Sequence, residues 1–345
     1  MRRFGILALL SSLFATSLFA QIEIASITPS SGPTTGGTVV TLKGDFSGWP
    51  YGVYFGDVPA VSSERTDPTT IVAVTPPHLP GTSRIHLFDY DLIVESTASF
   101  TFEGGVPEDH LERILVPLLT PPVYGAFGSE FHTELRLGSK ADGRYPQVYG
   151  LRQPCPDDIP SPEMCAWNRA DRAFIVFPGS DRNPAGIEYS GQPGAFVYLS
   201  NVDAAALSGN LRVHDVSRAA LNYGTEIPLV REREFQNESI LLLGVPGDAR
   251  FRNTLRIYGT ANMRVYVTVQ GQQPVELQLT GSDDLFEPSY ATFSNFPTGT
   301  EPFWVRIEGP PGVGGVPPIY FGSFWAFISV TNNETQVIST ITPQP

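Results

Sequence analysis

The sequence predicts an all-β protein. Three observations predict it: 33 glycines and 32 prolines in 345 residues, short runs in which β-branched and aromatic residues alternate with polar ones, and no sustained helical period. The hydrophobic fraction, 41% with 22 phenylalanines, is enough to fill real cores, which argues against disorder. Charged residues make up 17% of the chain and leave a net charge of −13. An acidic surface of this kind repels phosphate backbones and anionic lipid heads, so nucleic acid is not an expected partner.

The elements follow in order. Residues 1–20, MRRFGILALLSSLFATSLFA, place Arg2 and Arg3 before an apolar run from Phe4 to Ala20. That is the pattern of a signal peptide, with Ala20 as the last residue before cleavage. The run is short for a membrane span, and no later stretch is long and apolar enough to provide one. The expected location is secreted, periplasmic or at the cell surface, with no span left after cleavage.

Residues 22–103 read as a first β-sandwich. Ile22–Ile27 is a short strand that stops before Pro29, which cannot donate to a ladder. Ser30–Pro33 is turn chemistry, and Gly36-Gly37 permits backbone angles that other residues resist. Thr38–Lys43 then alternates, with Thr38, Val40 and Leu42 on one face and Val39, Thr41 and Lys43 on the other. GVYFGDVPA is a hairpin about Gly56-Asp57. TTIVAVTPP is a β-branched strand ended by Pro76-Pro77, and RIHLFDYDLIV and ASFTFE supply the last two strands. About seven strands in eighty residues is the size of an immunoglobulin-like sandwich.

ITPSSGPTTGGTVVTLKGDFSG, VYFGDVPA, IVAVTPPHLPG and ASFTFE, taken in that order, resemble the IPT/TIG domain. The resemblance implies an immunoglobulin-like fold that binds partners or acts as a spacer, with no catalytic role and no universal ligand residues.

Residues 104–110 read as a Gly/Pro linker. Beyond it, EFHTELRLG at 130–138 and RFRNTLRIYG at 250–259 align at one fixed offset, with Phe131, Leu135, Arg136 and Leu137 matched by Phe251, Leu255, Arg256 and Ile257. A shared order at a spacing of 120 residues suggests two related β-sandwich units, 111–230 and 231–345. Strands are predicted at 114–119, 131–137, 173–177, 195–199, 210–216, 239–243, 254–258, 263–269, 275–279, 303–308 and 321–331, with one helical turn in VDAAALSG. ILVPLLTPPVYGAFGSEFHTELRL, NLRVHDVSRAALNYGTEIPLV and FWAFISVTNNETQVISTITP resemble a group of exported bacterial β-rich proteins with which no activity is associated.

Candidate chemistry is sparse. Cys155 and Cys165 close a proline-rich loop and read as a disulfide in an exported chain. In the chain-entropy account such a loop contributes about 2.5–3 kcal/mol. No nucleophile elbow, zinc-protease helix or phosphate loop is present. His214, Asp215 and Ser217 lie together in RVHDVSR, but neighbours on a strand face opposite sides, which works against a triad. Asp89, Asp91, Asp283, Asp284 and Glu287 could supply the paired carboxylates of a glycosidase only if folding brings two of them close. Asp181, Asn183 and Glu188 in SDRNPAGIE loosely resemble a calcium loop but lack its later bidentate glutamate. Trp49 and Tyr51, among Gly and Pro, and Trp167, beside the cysteine loop, are the candidate ligand-binding aromatics. Trp304 and Trp325 lie in apolar strands and read as core.

These features predict a non-enzymatic, cofactor-free exported protein that recognises an extracellular glycan or protein. An architectural cell-envelope spacer or assembly subunit, and a polysaccharide hydrolase with an accessory first domain, are the alternatives.

Overall fold

A computed structural model describes residues 24–46, 52–56, 58–89, 92–118, 123–140, 148–149, 173–176, 194–218, 224–281, 285–310 and 322–343. The chain is all-β and divides into two units, residues up to 76 with 80–103, and residues 77–79 with those from 104 onward.

Among its described residues the first unit has nine strands: β1 (Ile24–Thr28), β2 (Ser31–Pro33), β3 (Val39–Gly44), β4 (Gly52–Phe55), β5 (Val58–Pro59), β6 (Ser62–Asp67), β7 (Thr70–Val74), β8 (Gly81–Asp89) and β9 (Leu92–Glu103). They form two sheets, β1-β3-β7-β6 and β2-β9-β8-β4-β5. The alternation predicted for the Thr/Val run holds: Val40 and Leu42 are fully buried while Val39 is 59% exposed. Opposite them, Phe55, Phe100 and Phe102 pack edge to face, with centroids 4.9–5.9 Å apart, the arrangement favoured by ring quadrupoles. Two details differ from the expectation. Ser31–Pro33, read as a turn, pairs parallel with β9. Ser62–Asp67 forms a strand although all six residues are exposed.

In the second unit the first half contributes β10 (Leu111–Val116), β11 (Val123–Tyr124), β12 (Glu130–Ser139), β13 (Val148–Tyr149), β14 (Ala173–Val176), β15 (Ala195–Ser200), β16 (Leu207–Asp215), β17 (Thr225–Ile227) and β18 (Val230–Arg231). The predicted turn in VDAAALSG is α1 (Asn201–Ala206), started by Ser200, whose hydroxyl accepts from the Asp203 backbone N–H as an N-cap should. The second half contributes β19 (Ser239–Val245), β20 (Phe251–Gly259), β21 (Met263–Val269), β22 (Val275–Leu279), β23 (Ser289–Phe293), β24 (Phe303–Glu308), β25 (Phe324–Asn332) and β26 (Ile338–Ile341).

Strand order repeats between the halves. The first contains β13-β15-β10 and β14-β12-β16-β17; the second contains β21-β24-β19 and β23-β20-β25-β26. Taken along the chain, each strand of one set has its counterpart in the other. The aligned segments sit on β12 and β20, which pair with β16 and β25 over nine residues each. Leu135, Leu137, Leu255 and Ile257 all point into cores.

The two halves share buried surface. Tyr258, Trp325 and Phe327, on the face of β20 and β25 turned away from their own sandwich, belong to the core of the first half. The Tyr258 hydroxyl donates to the Pro117 carbonyl, Tyr198 donates to Leu285 at 2.9 Å, and Phe196 N–H to Phe286 O at 2.7 Å. On the edges, Thr225 donates to the Ile338 carbonyl. As a result β15 is buried on both faces from Ala195 to Leu199, whereas its counterpart β24 alternates buried and accessible residues.

Candidate binding face on the β19-β24-β21-β22 sheet

The accessible face of the sheet β19-β24-β21-β22 follows from a period-2 pattern. In β24, Phe303, Val305 and Ile307 enter the core, and Trp304, Arg306 and Glu308 point outward. In β21, Met263, Val265, Val267 and Val269 are buried, and Arg264, Tyr266 and Thr268 point outward. Side chains at alternate positions of a strand must share a face. Trp304 is therefore half-buried on the outside, which corrects its reading as core, whereas Trp325 is 5% exposed and packs on Phe327. Grouping Trp304 with its apolar neighbours overlooks the alternation that also carries Arg306 and Glu308 outward.

Around Trp304 the surface carries apolar side chains. A bulge between Leu242 and Val245 breaks the β19–β24 register, with Gly244 at φ 73°, an angle that favours glycine. Next to it, Leu241 and Leu243 are 42% and 57% exposed. The Arg306 guanidinium lies 5.8 Å from the Trp304 ring centroid, within cation–π range. Trp304 N–H donates to Gln270 Oε1 at 3.2 Å. The Tyr266 hydroxyl donates to Glu276 Oε2 at 3.0 Å, and this carboxylate holds the phenol above its ordinary pKa. Arg264 lies 3.7 Å from the other oxygen of Glu276.

A second accessible surface lies on the sheet β11-β12-β16-β17. Tyr124 and Phe127 are 77% and 75% exposed, and Tyr124 pairs with Glu130 across β11 and β12. Beside them His132 donates to Glu130 at 2.8 Å and faces His214 at a ring separation of 6.3 Å. The triad reading of His214, Asp215 and Ser217 meets a geometric objection here. His214 is on the outer face, while Asp215 is 2% exposed on the inner one. The Ser217 hydroxyl donates to Asp215 Oδ1 at 2.6 Å, and the same oxygen accepts from the backbone N–H groups of Ser217 and Glu130. Burial raises the pKa of Asp215, but these bonds and one from Ser129 outweigh it and leave the carboxyl below its ordinary value. Asp215 thus ties the end of β16 to the start of β12.

Trp49, Tyr51, Cys155, Cys165, Trp167, Asp181, Asn183, Glu188, Asp91, Asp283 and Asp284 lie outside the described residues. Asp89 ends β8 in the first unit, and Glu287 is half-buried before β23 in the second. Among the described residues, no group of three or more His, Cys, Asp or Glu is arranged to hold a metal ion. No helix among them is long and apolar enough to cross a membrane.

Comparison with known proteins places the first unit in a class. Residues 23–102 match the IPT/TIG domain family, and this part of the chain is an IPT/TIG domain. No curated protein matches the chain. Among solved structures, it is similar to a gamma-CGTase from the alkalophilic Bacillus clarkii, at 20% identity over 61% of this chain and 24% of that one, with a TM-score of 0.21. It is also similar to an auxiliary nutrient binding protein from Bacteroides ovatus, at 12% identity over 47% of this chain and 38% of that one, with a TM-score of 0.19. Likenesses at these scores carry no argument about activity.

Proposed function

We propose that this is an exported, non-catalytic binding protein that recognises an extracellular glycan or protein through the outer face of β19-β24-β21-β22. One observation carries the reading: Trp304 and Tyr266 stand on the outside of a well-packed sheet, beside the exposed Leu241 and Leu243. Half-exposed aromatic rings on a rigid sheet offer large contact area at little conformational cost. The basic and apolar start of the chain supports export, and the IPT/TIG domain supports a partner-binding or spacer role for the first unit.

The test is binding of the full chain to a glycan array, with cross-linking to cell-envelope proteins in parallel. Binding in either assay that Trp304→Ala weakens by about tenfold, the loss of one stacked ring, is the expected result. Release of reducing ends from polysaccharides by the purified protein would overturn the non-catalytic reading. Binding that Trp304→Ala leaves untouched would move the site elsewhere.

A further inference from the structure

We infer that the ligand of this face is an uncharged, extended oligosaccharide lying along β24 and β21 between Trp304 and Tyr266. The inference rests on the binding reading above and names the ligand class.

Register sets the spacing of the rings. Gln270 lies opposite Trp304, with its N–H donating to the Trp304 carbonyl at 3.0 Å, and Tyr266 lies opposite Glu308. The rings are thus four residues apart along the strands, about 14 Å at roughly 3.4 Å per residue. A single sugar cannot touch both, whereas a chain of sugars can. The row between them pairs Thr268 with Arg306, and Glu308 and Glu276 lie across from Tyr266 on either side. Hydroxyl, guanidinium and carboxylate groups together match the mixed donors and acceptors of sugar hydroxyls.

Charge selects an uncharged chain. Arg264 and Arg306 balance Glu276 and Glu308 on this face, and the groups are turned on one another: Arg264 toward Glu276, Tyr266 onto Glu276, Arg306 over Trp304. An anionic polymer gains no excess of positive charge here and meets a protein of net charge −13, which repels it. A cationic polymer is drawn by the net charge of the whole chain, but on this face it finds no surplus of carboxylates to hold it. Leu241 and Leu243 extend the apolar contact at Trp304, but Tyr266 is separated from it by a polar row, unlike the single central cluster that anchors protein partners.

Affinity electrophoresis of the full chain tests this, with hydroxyethylcellulose or galactomannan as uncharged probes and polygalacturonate as the anionic one. The expected result is retardation by at least one uncharged polymer, weakened about tenfold by Trp304→Ala and by Tyr266→Ala. Thr268→Arg, which fills the gap and leaves both rings in place, should abolish it. Tyr124→Ala, on the other sheet, should not change it. Unfolding curves of each variant separate lost binding from lost fold. Retardation by polygalacturonate alone, retardation that survives Thr268→Arg, or none in any gel overturns the inference. A protein partner cross-linked through the Trp304 face would overturn it too, yet leave the broader binding reading standing.

Discussion

Asp215 shows how a residue that reads as chemistry can be structural. Its Oδ1 accepts three hydrogen bonds that join two strand ends, so truncation leaves three partly buried donors without this acceptor. Asp215→Ala is expected to lower stability by about 1–3 kcal/mol at pH 7, measured by urea unfolding. Its pKa is lowered in the folded state, so the contribution is fully present above the unfolded value near 3.9 and is lost as pH falls through the folded value. The gap between wild type and Asp215→Ala should therefore shrink in unfolding measured at pH 3. A gap that widens in acid would contradict the assignment. The inner position of Asp215 was legible from strand alternation and its two bonds from Ser217 are local, but the Glu130 donor was not legible, because it comes from a strand 85 residues away in the chain.

Elements with strict alternation were read well and polar ones were not. β21, β22 and β24 fall on their predicted spans, 263–269, 275–279 and 303–308. β6 has no apolar residue to mark it; it is held as an edge by β7 and by Arg65, which donates to the Phe46 carbonyl at 2.6 Å. The short β11, β17 and β18 were likewise invisible, since two or three residues carry no period. Direction within an element matters as much as its bounds, and the two tryptophans test it. Trp325→Ala should cost about 3–5 kcal/mol, a large-to-small change in a packed core. Trp304→Ala should cost about 1 kcal/mol or less, as an outer-face change does. Chemical unfolding of the two variants side by side checks this, and equal losses would return Trp304 to the core.

On the scale of the whole molecule, the halves of the second unit complete each other. A chain ending at residue 230 lacks Tyr258, Trp325 and Phe327, which fill the first half's core. It is expected to bind a hydrophobic dye and to show no near-ultraviolet dichroism, the behaviour of a collapsed chain without fixed packing. Sharp tertiary signals from that fragment would show instead that the first half closes on its own. The repeat was legible only on β12 and β20, where inward residues face the same demand in both copies. Elsewhere the demands differ: the outer face of β20 ends in the buried Tyr258, while that of β12 carries Glu134 and the 56%-exposed Arg136 side chain and has Gly138 at the corresponding place.

The joint between the halves also limits where this protein can acquire new specificity. β15 is enclosed on both faces and β24 on one, so a changed side chain must fit its surroundings along most of β15 but only at alternate positions of β24. Among relatives with this joint, residues 304, 306, 241 and 243 should vary more than 195–199, and an alignment of such relatives checks this. The two halves repeat one strand order, and their union encloses one of two corresponding surfaces and leaves the other accessible.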